Sequence, residues 1–218
     1  MNVISNYNSN PLPLINLIDG DYLLFDQSDQ FTLPEKLIKS TKYKKTLHSG
    51  HNLSDYFEYL IENYNQLPER VVFLKGNMIG RHISKKDFLN RIQLPGCASL
   101  YSDENTFNPK KQLFRFIAQQ IAPGVYLEKN NNWYCKSRNK GKYYPTLNDL
   151  FKNLFSYPAP RYIPFIPGGC LITTRDKILQ WSKDTYKHLY EITTYEFFPV
   201  EAYHAERIMM YLFFFNRV

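Results

Sequence analysis

Glu201, His204 and Arg207 follow one another at intervals of three in PVEAYHAER, with Pro199 just ahead of them. A proline at a helix start and a spacing of three put a carboxylate in the first turn, with an imidazole and a guanidinium on nearly the same face. A carboxylate or imidazole held beside a hydroxyl is what general-base chemistry needs near neutral pH. A plainer reading stays open: Glu201 complements the helix dipole, and Glu206 with Arg207 makes a structural ion pair.

A second candidate is Lys75-Gly76-Asn77, where the apolar run 71–74 (VVFL) breaks. In α/β sheets, ligands collect where strands stop and glycine lets the chain turn. Lys75, Arg81 and His82 suit a cationic fringe around a diphosphate. His48, His51 and His82 straddle a helix and a strand without familiar metal-ligand spacing. Gly168-Gly169 after Pro167 either lets the backbone approach a ligand or makes a tight turn before a strand. The chain has no G-x-S-x-G, H-E-x-x-H, Walker loop or C-x-x-C.

The elements that must position these residues are legible as apolar patterns. Residues 2–6 and 22–25 read as strands, each running into polar turn formers, and Asp26 and Asp29 are either site residues or a solvated turn. Residues 53–66 repeat apolar positions at helical spacing, with Asn52 as N-cap and Pro68 as the stop. Residues 71–74 form a continuous apolar strand, expected to be covered on both faces. Ser84 with Asp87, and Thr146 with Asp149, have capping-box spacing and open helices to 92 and 156. A helix is expected after Asn108-Pro109, with Leu113, Phe116, Ile117 and Ile121 on one face. A hairpin or long loop follows with its turn at 130–132, and the proline-rich stretch before Gly168 reads as irregular. A strand at 170–173, a helix from Thr174 past Trp181, a helix over 182–192 and the last helix after Pro199 complete the order.

At 218 residues and 44% hydrophobic content, one core and one domain are expected. Three cysteines at irregular spacing fit neither a disulfide framework nor a zinc site, which suggests a reducing compartment. No basic leader and no run near ~18 apolar residues is seen, so a soluble, cytoplasmic protein without a membrane span is expected. The net charge of +7 invites an anionic partner. The basic residues are scattered, however, and no nucleic-acid-binding module is visible, so no nucleic acid is expected.

NVISNYNSN and YLLFDQSD, then GHNLSDYFEYLIENYNQLPERVVFLKGN, and finally FIPGGCLITTRDKIL with PVEAYHAERIMMYLF, taken in that order, resemble a family of small glycosyltransferase-like proteins. That family was first catalogued as a domain of unknown function, and similar GT-A domains occur in bacteria and in large DNA viruses of algae. The resemblance covers roughly residues 2–82 and 160–213. It implies an α/β fold with a GT-A-like mixed sheet flanked by helices in a single domain, 1–218. Residues 1–82 would be the donor-nucleotide half and 83–218 the acceptor half.

The implied activity is transfer of a sugar from a nucleoside-diphosphate sugar to a hydroxyl on a glycan or glycoprotein. Ser5, Asn6, Tyr7, Asn8 and Asp26 would contact the donor, as would Lys75, Gly76, Asn77 and Arg81. Gly168, Gly169 and His204 would face the acceptor, and Glu201 would be the base. In this family type an Asp-x-Asp motif holds a divalent metal against the diphosphate. Here lysine and asparagine stand in for the two aspartates. Either Lys75 with Arg81 neutralises the leaving group directly, which is the preferred account, or Asn77 offers an oxygen to Mn²⁺ or Mg²⁺. The rival is a non-catalytic module on the same fold that binds glycan or nucleic acid.

Overall fold

The computed structural model describes residues 1–47, 49–102, 117–131 and 141–216. Its first strand, β1 (Asn2–Asn6), is buried throughout. Alternate side chains of a strand leave opposite faces, so Val3 enters one apolar cluster and Ile4 the other. A short helix, α1 (Leu12–Ile15), leads to β2 (Tyr22–Asp26), and α2 (Glu35–Ile38) leads to β3 (Tyr43–Lys45).

The helix α3 (His51–Asn63) buries Leu53, Tyr56, Phe57 and Leu60, the i, i+3, i+4, i+7 stripe of an amphipathic helix. Burial of each such side chain is worth roughly 1.5–3 kcal/mol against exposure. A 3₁₀ turn ends the helix at Tyr64–Gln66. Asn52 does not cap it: the N-cap is Gly50, and the Asn52 side chain reaches the Gly168 carbonyl instead.

β4 (Arg70–Lys75) follows, and its VVFL run is covered on both sides as expected. Val71 and Phe73 face one cluster, and Val72 and Leu74 face the other. α4 (Lys85–Arg91) starts at Ser84, whose hydroxyl accepts from the Asp87 N–H, and β5 (Ala98–Ser99) is brief.

The middle of the chain departs from its sequence pattern. Residues 108–116 of the helix expected after Asn108-Pro109 lie outside the described residues, and Ile117 and Ile121 belong to a strand, β6 (Ile117–Ala122). β6 pairs antiparallel with β7 (Val125–Lys129) around a turn at 123–124, ahead of the expected turn at 130–132. The proline-rich stretch is also not irregular throughout. Between α5 (Leu147–Phe155) and the Gly168 turn it forms β8 (Tyr162–Phe165), paired with β7. β8 lies at the edge of the three-stranded sheet, where Pro164 can lack an N–H without breaking a ladder.

β9 (Leu171–Thr174), α6 (Arg175–Leu179), α7 (Lys183–Thr194) and α8 (Val200–Phe213) complete the chain. The helix after Thr174 stops before Trp181, because Ser182 already caps α7 by accepting from the Thr185 N–H.

The main sheet has the order β3-β2-β1-β4-β9-β5. β1 to β4 run parallel, and β9 runs antiparallel between β4 and β5. The result is a mixed α/β architecture, a mixed sheet flanked by helices, with a second small sheet beside it. One apolar cluster draws on residues from Val3 to Phe213, so the halves 1–82 and 83–218 share a core. Among the described residues no helix is long and apolar enough to cross a membrane.

Candidate functional site

The chain builds β1, β2 and β3 outward in one direction and then returns to place β4 on the other side of β1. Such a reversal opens a crevice at the carboxyl ends of the strands. A cavity of about 360 Å³ lies there, lined by Ser5, Tyr7 and Gln27 on the β1–β2 side and by Lys75, Asn77 and Arg81 beyond β4. His51, Asn52, His82 and Phe198 complete its wall. A second lobe of about 230 Å³ shares His51, Asn52, Lys75 and His82 and adds Gly168, Tyr203 and Glu206.

Register explains the first set. Ser5 pairs with Lys75 across β1–β4, and Asn6 pairs with Asp26 across β1–β2. Gly76 is held by a close approach: a Cβ there would lie 2.3 Å from Asn6 Oδ1. Asn6 in turn donates to Asp26 Oδ1 at 3.1 Å and to the Ser9 carbonyl at 3.0 Å. Asn8 accepts at Oδ1 from the backbone N–H groups of Asp29, Gln30 and Phe31. Asp26 accepts from Ser28, from Asn6 and from Lys45 at 3.2 Å. Asn6, Asn8 and Asp26 therefore brace the two loops that border the cavity, while Ser5 and Tyr7 line it.

Lys75 and Arg81 carry the charge of the cleft. Among the described residues neither makes an ion pair, and the Lys75 ammonium sits against Gly168, 3.4 Å from where a Cβ would be. The N-terminal residues of α3, His51 and Asn52, line both lobes, so the positive end of a 13-residue helix adds to the field of the two cations. His82 is not a third cation. Burial first, then Lys75 and Arg81, hold its pKa down to about 4, so it is a neutral imidazole near pH 7.

Gly168 has φ +79°, a conformation that favours glycine. Its N–H donates to Glu206 Oε1 at 2.7 Å, and its carbonyl accepts from Asn52 at 3.0 Å. Glu206 Oε2 accepts from Arg207 at 2.6 Å, and Arg207 also holds the buried Glu128 at 2.8 Å. Glu206 is thus a fixed but partly exposed carboxylate in the second lobe.

The other acceptor-side expectations fall elsewhere. Glu201 is fully buried and lines neither lobe. Its Oε1 accepts from the backbone N–H groups of Tyr143 at 2.7 Å and Tyr144 at 3.2 Å, and its Oε2 accepts from the Tyr195 hydroxyl at 2.8 Å. Burial, reinforced by the bond to Glu201, pushes the Tyr195 hydroxyl well up. His204 is also fully buried, its pKa held to about 3 by burial and then by Arg207. Gly169 is packed under Leu53, Asn52 and Met209. His48 lies outside the described residues.

The donor set at the strand end does not fit a divalent cation. Asn77 shares the cavity wall with the Lys75 ammonium and the Arg81 guanidinium, and the Asp26 carboxylate is occupied by Lys45, Asn6 and Ser28. Among the described residues no three His, Cys, Asp or Glu side chains gather as a metal site.

Sequence reasoning did not select Gln27, Asn52, Phe198, Tyr203 or Glu206 as site residues. Gln27 offered a signal, standing in the polar run just past β2. Asn52 was read as a cap. Glu206 stands one helical turn and a residue beyond Glu201, and only the packing of α8 against the Gly168 turn turns it toward the cleft.

No curated protein and no solved structure matches the chain. The model of a family described as Protein of unknown function (DUF3431) matches residues 27–216, from just past β2 to just past α8. With most of its length inside that match, the chain belongs to this family.

Proposed function

We propose that the protein is a glycosyltransferase that moves a sugar from a nucleoside-diphosphate sugar to a hydroxyl acceptor, a glycan or glycoprotein. The observation that carries this reading is the pair of cations, Lys75 and Arg81, which make no ion pair among the described residues and stand beside the α3 N-terminus in a crevice at the carboxyl ends of parallel strands. Fixed positive groups in such a place suit a diphosphate and stabilise the charge it gains as a leaving group. The resemblance of the strand-end and PGG segments to GT-A proteins supports the same reading.

In the transfer, the acceptor oxygen forms a bond to the anomeric carbon as the bond from that carbon to the diphosphate breaks. The acceptor proton goes to a base, and Lys75 and Arg81 meet the charge on the departing diphosphate. Glu206 suits the base better than Glu201, because it faces the cleft and keeps lone pairs beyond the two that Gly168 and Arg207 occupy. His82 suits it less, since burial first and then the neighbouring cations oppose its protonation.

Titration of UDP-, GDP- and TDP-sugars, with and without Mn²⁺, tests the proposal. Binding and slow hydrolysis of at least one donor without metal is expected, with roughly tenfold or greater loss of affinity in Lys75→Ala. No binding of any donor under either condition would refute it.

A further inference from the structure

The hydrogen-bond partners of Ser5 and Gln27 give the β1–β2 side of the cavity a polarity opposite to that of the β4 side. Ser5 Oγ has one hydrogen, and it is donated to Asp55 Oδ2 at 2.5 Å. Thr46 donates to the other oxygen of Asp55 at 2.9 Å, and once ionised that carboxylate can only accept, which commits the Ser5 hydrogen to it. Gln27 is oriented as firmly. Its side-chain nitrogen lies 2.7 Å from the His51 carbonyl, which can only accept, so the amide cannot be turned over. The same nitrogen also donates to Ser54 Oγ at 3.1 Å. Both hydrogens of the Gln27 amide are therefore committed, and its oxygen remains.

Ser5 and Gln27, both lining the cavity, thus have only lone pairs to offer a ligand. Lys75 and Arg81, across the same cavity, have only hydrogens to offer. Gln27 follows β2 directly, and β1 lies between β2 and β4, so the Gln27 end of the edge is two inter-strand steps of ~4.8 Å, about 10 Å, from Lys75, with Ser5 on β1 one step from each. A ligand matched to this partition is anionic at one end and carries adjacent hydrogen donors at the other.

We infer that the Ser5–Gln27 edge selects the base of the nucleoside diphosphate, and that the base is guanine. This inference rests on the donor reading proposed above. Guanine places N1–H and the exocyclic N2–H₂ side by side. Adenine and cytosine set a ring-nitrogen acceptor beside their amino group, and uracil and thymine flank their one N–H with two carbonyls. Against an acceptor-only edge those acceptors are repelled or left unpaired, and an unpaired buried polar group costs more than a hydrogen bond gains. The ribose 2′,3′-diol is the other source of paired donors, but hydroxyls also accept and so draw less selectivity from such an edge.

The test is direct binding of GDP, IDP, 2′-deoxy-GDP, UDP and ADP to the full chain at pH 8. That pH keeps Asp55 ionised, because burial raises its carboxyl to about 7. GDP is expected to bind roughly tenfold or more tightly than UDP or ADP, and IDP, which lacks the N2 amine, to lose about tenfold relative to GDP. Ser5→Ala is expected to bring the GDP and UDP affinities closer together. If that variant fails to fold, the wild-type series decides alone. Equal affinity for GDP, UDP and ADP would overturn the inference and leave the donor reading standing. A loss on 2′-deoxy-GDP with none on IDP would assign the edge to ribose and also overturn it. Binding of no nucleoside diphosphate would overturn both.

Discussion

The first turn and the middle of α8 each present a glutamate to a loop, and they do opposite things with it. At the first turn, Glu201 is sealed from water, with three donors on its two oxygens, two of them backbone N–H groups of the 141–144 loop. A Cβ on Gly141 would lie 2.6 Å from its Oε1, so the loop is pressed against the carboxylate. Farther along, Glu206 is also held by a backbone N–H, from Gly168, yet its side chain keeps 22% of its exposure and faces the cleft that holds Lys75 and His82. Both carboxylates order a loop. Only one is left where a substrate can reach it, so the accessibility of the residual lone pairs separates a strap from a reactive group.

The sharpest way to break this comparison is to neutralise each glutamate and measure transfer and stability together. Glu206→Gln is expected to lower the transfer rate by about 10²–10⁴-fold, the usual worth of a positioned base, with donor affinity and melting temperature near wild type. Turnover close to wild type would remove Glu206 from that role. Glu201→Ala should reverse the pattern. It leaves two backbone N–H groups and a tyrosine hydroxyl without their acceptor, which costs roughly 3 kcal/mol or more. At about 2–4 °C per kcal/mol for a chain of this size, thermal denaturation should register the loss clearly. An unchanged melting temperature would show that the strap is not one.

A third carboxyl sharpens the contrast through pH. Asp55 is fully buried beneath the Ser5 side of the cavity, and burial raises its pKa from 3.8 to about 7 in spite of bonds from Ser5, Gln27 and Thr46. The folded state therefore holds a proton that the unfolded state has released between those values. The associated stability is complete below about pH 4 and is lost as pH rises through about 7. His82 and His204, lowered to about 4 and about 3, bend the curve the other way, losing stability as pH falls below 6.5. Comparing wild type with Asp55→Asn cancels the histidines. The variant should gain on wild type by about 3 kcal/mol between pH 5 and pH 8 in urea unfolding. Parallel curves would mean that Asp55 stays ionised throughout.

Local pattern carried the elements whose causes are local. The VVFL run, the apolar stripe of α3, the Ser84 and Thr146 caps and the proline-opened last helix each followed from a few adjacent residues. Much of the cavity lining was legible too, because residues just past parallel strands must meet at the sheet's carboxyl edge: Ser5, Tyr7, Lys75, Asn77 and Arg81 do. The pattern failed where partners are distant. Ile117 and Ile121 show helical spacing but are held in a strand by β7, and the proline-rich segment becomes β8 because β7 offers it an edge.

The sequence by itself determined that α8 would begin with a glutamate and carry another five residues on. Only the tertiary structure decided which of the two meets the cleft. Helical spacing ranks faces relative to one another, but the rotation of α8 is set by what packs on it: the 141–144 loop closes over Glu201, and the Gly168 turn opens beside Glu206. The same holds for Gln27, whose acceptor-only character exists because a carbonyl 24 residues away takes its hydrogen.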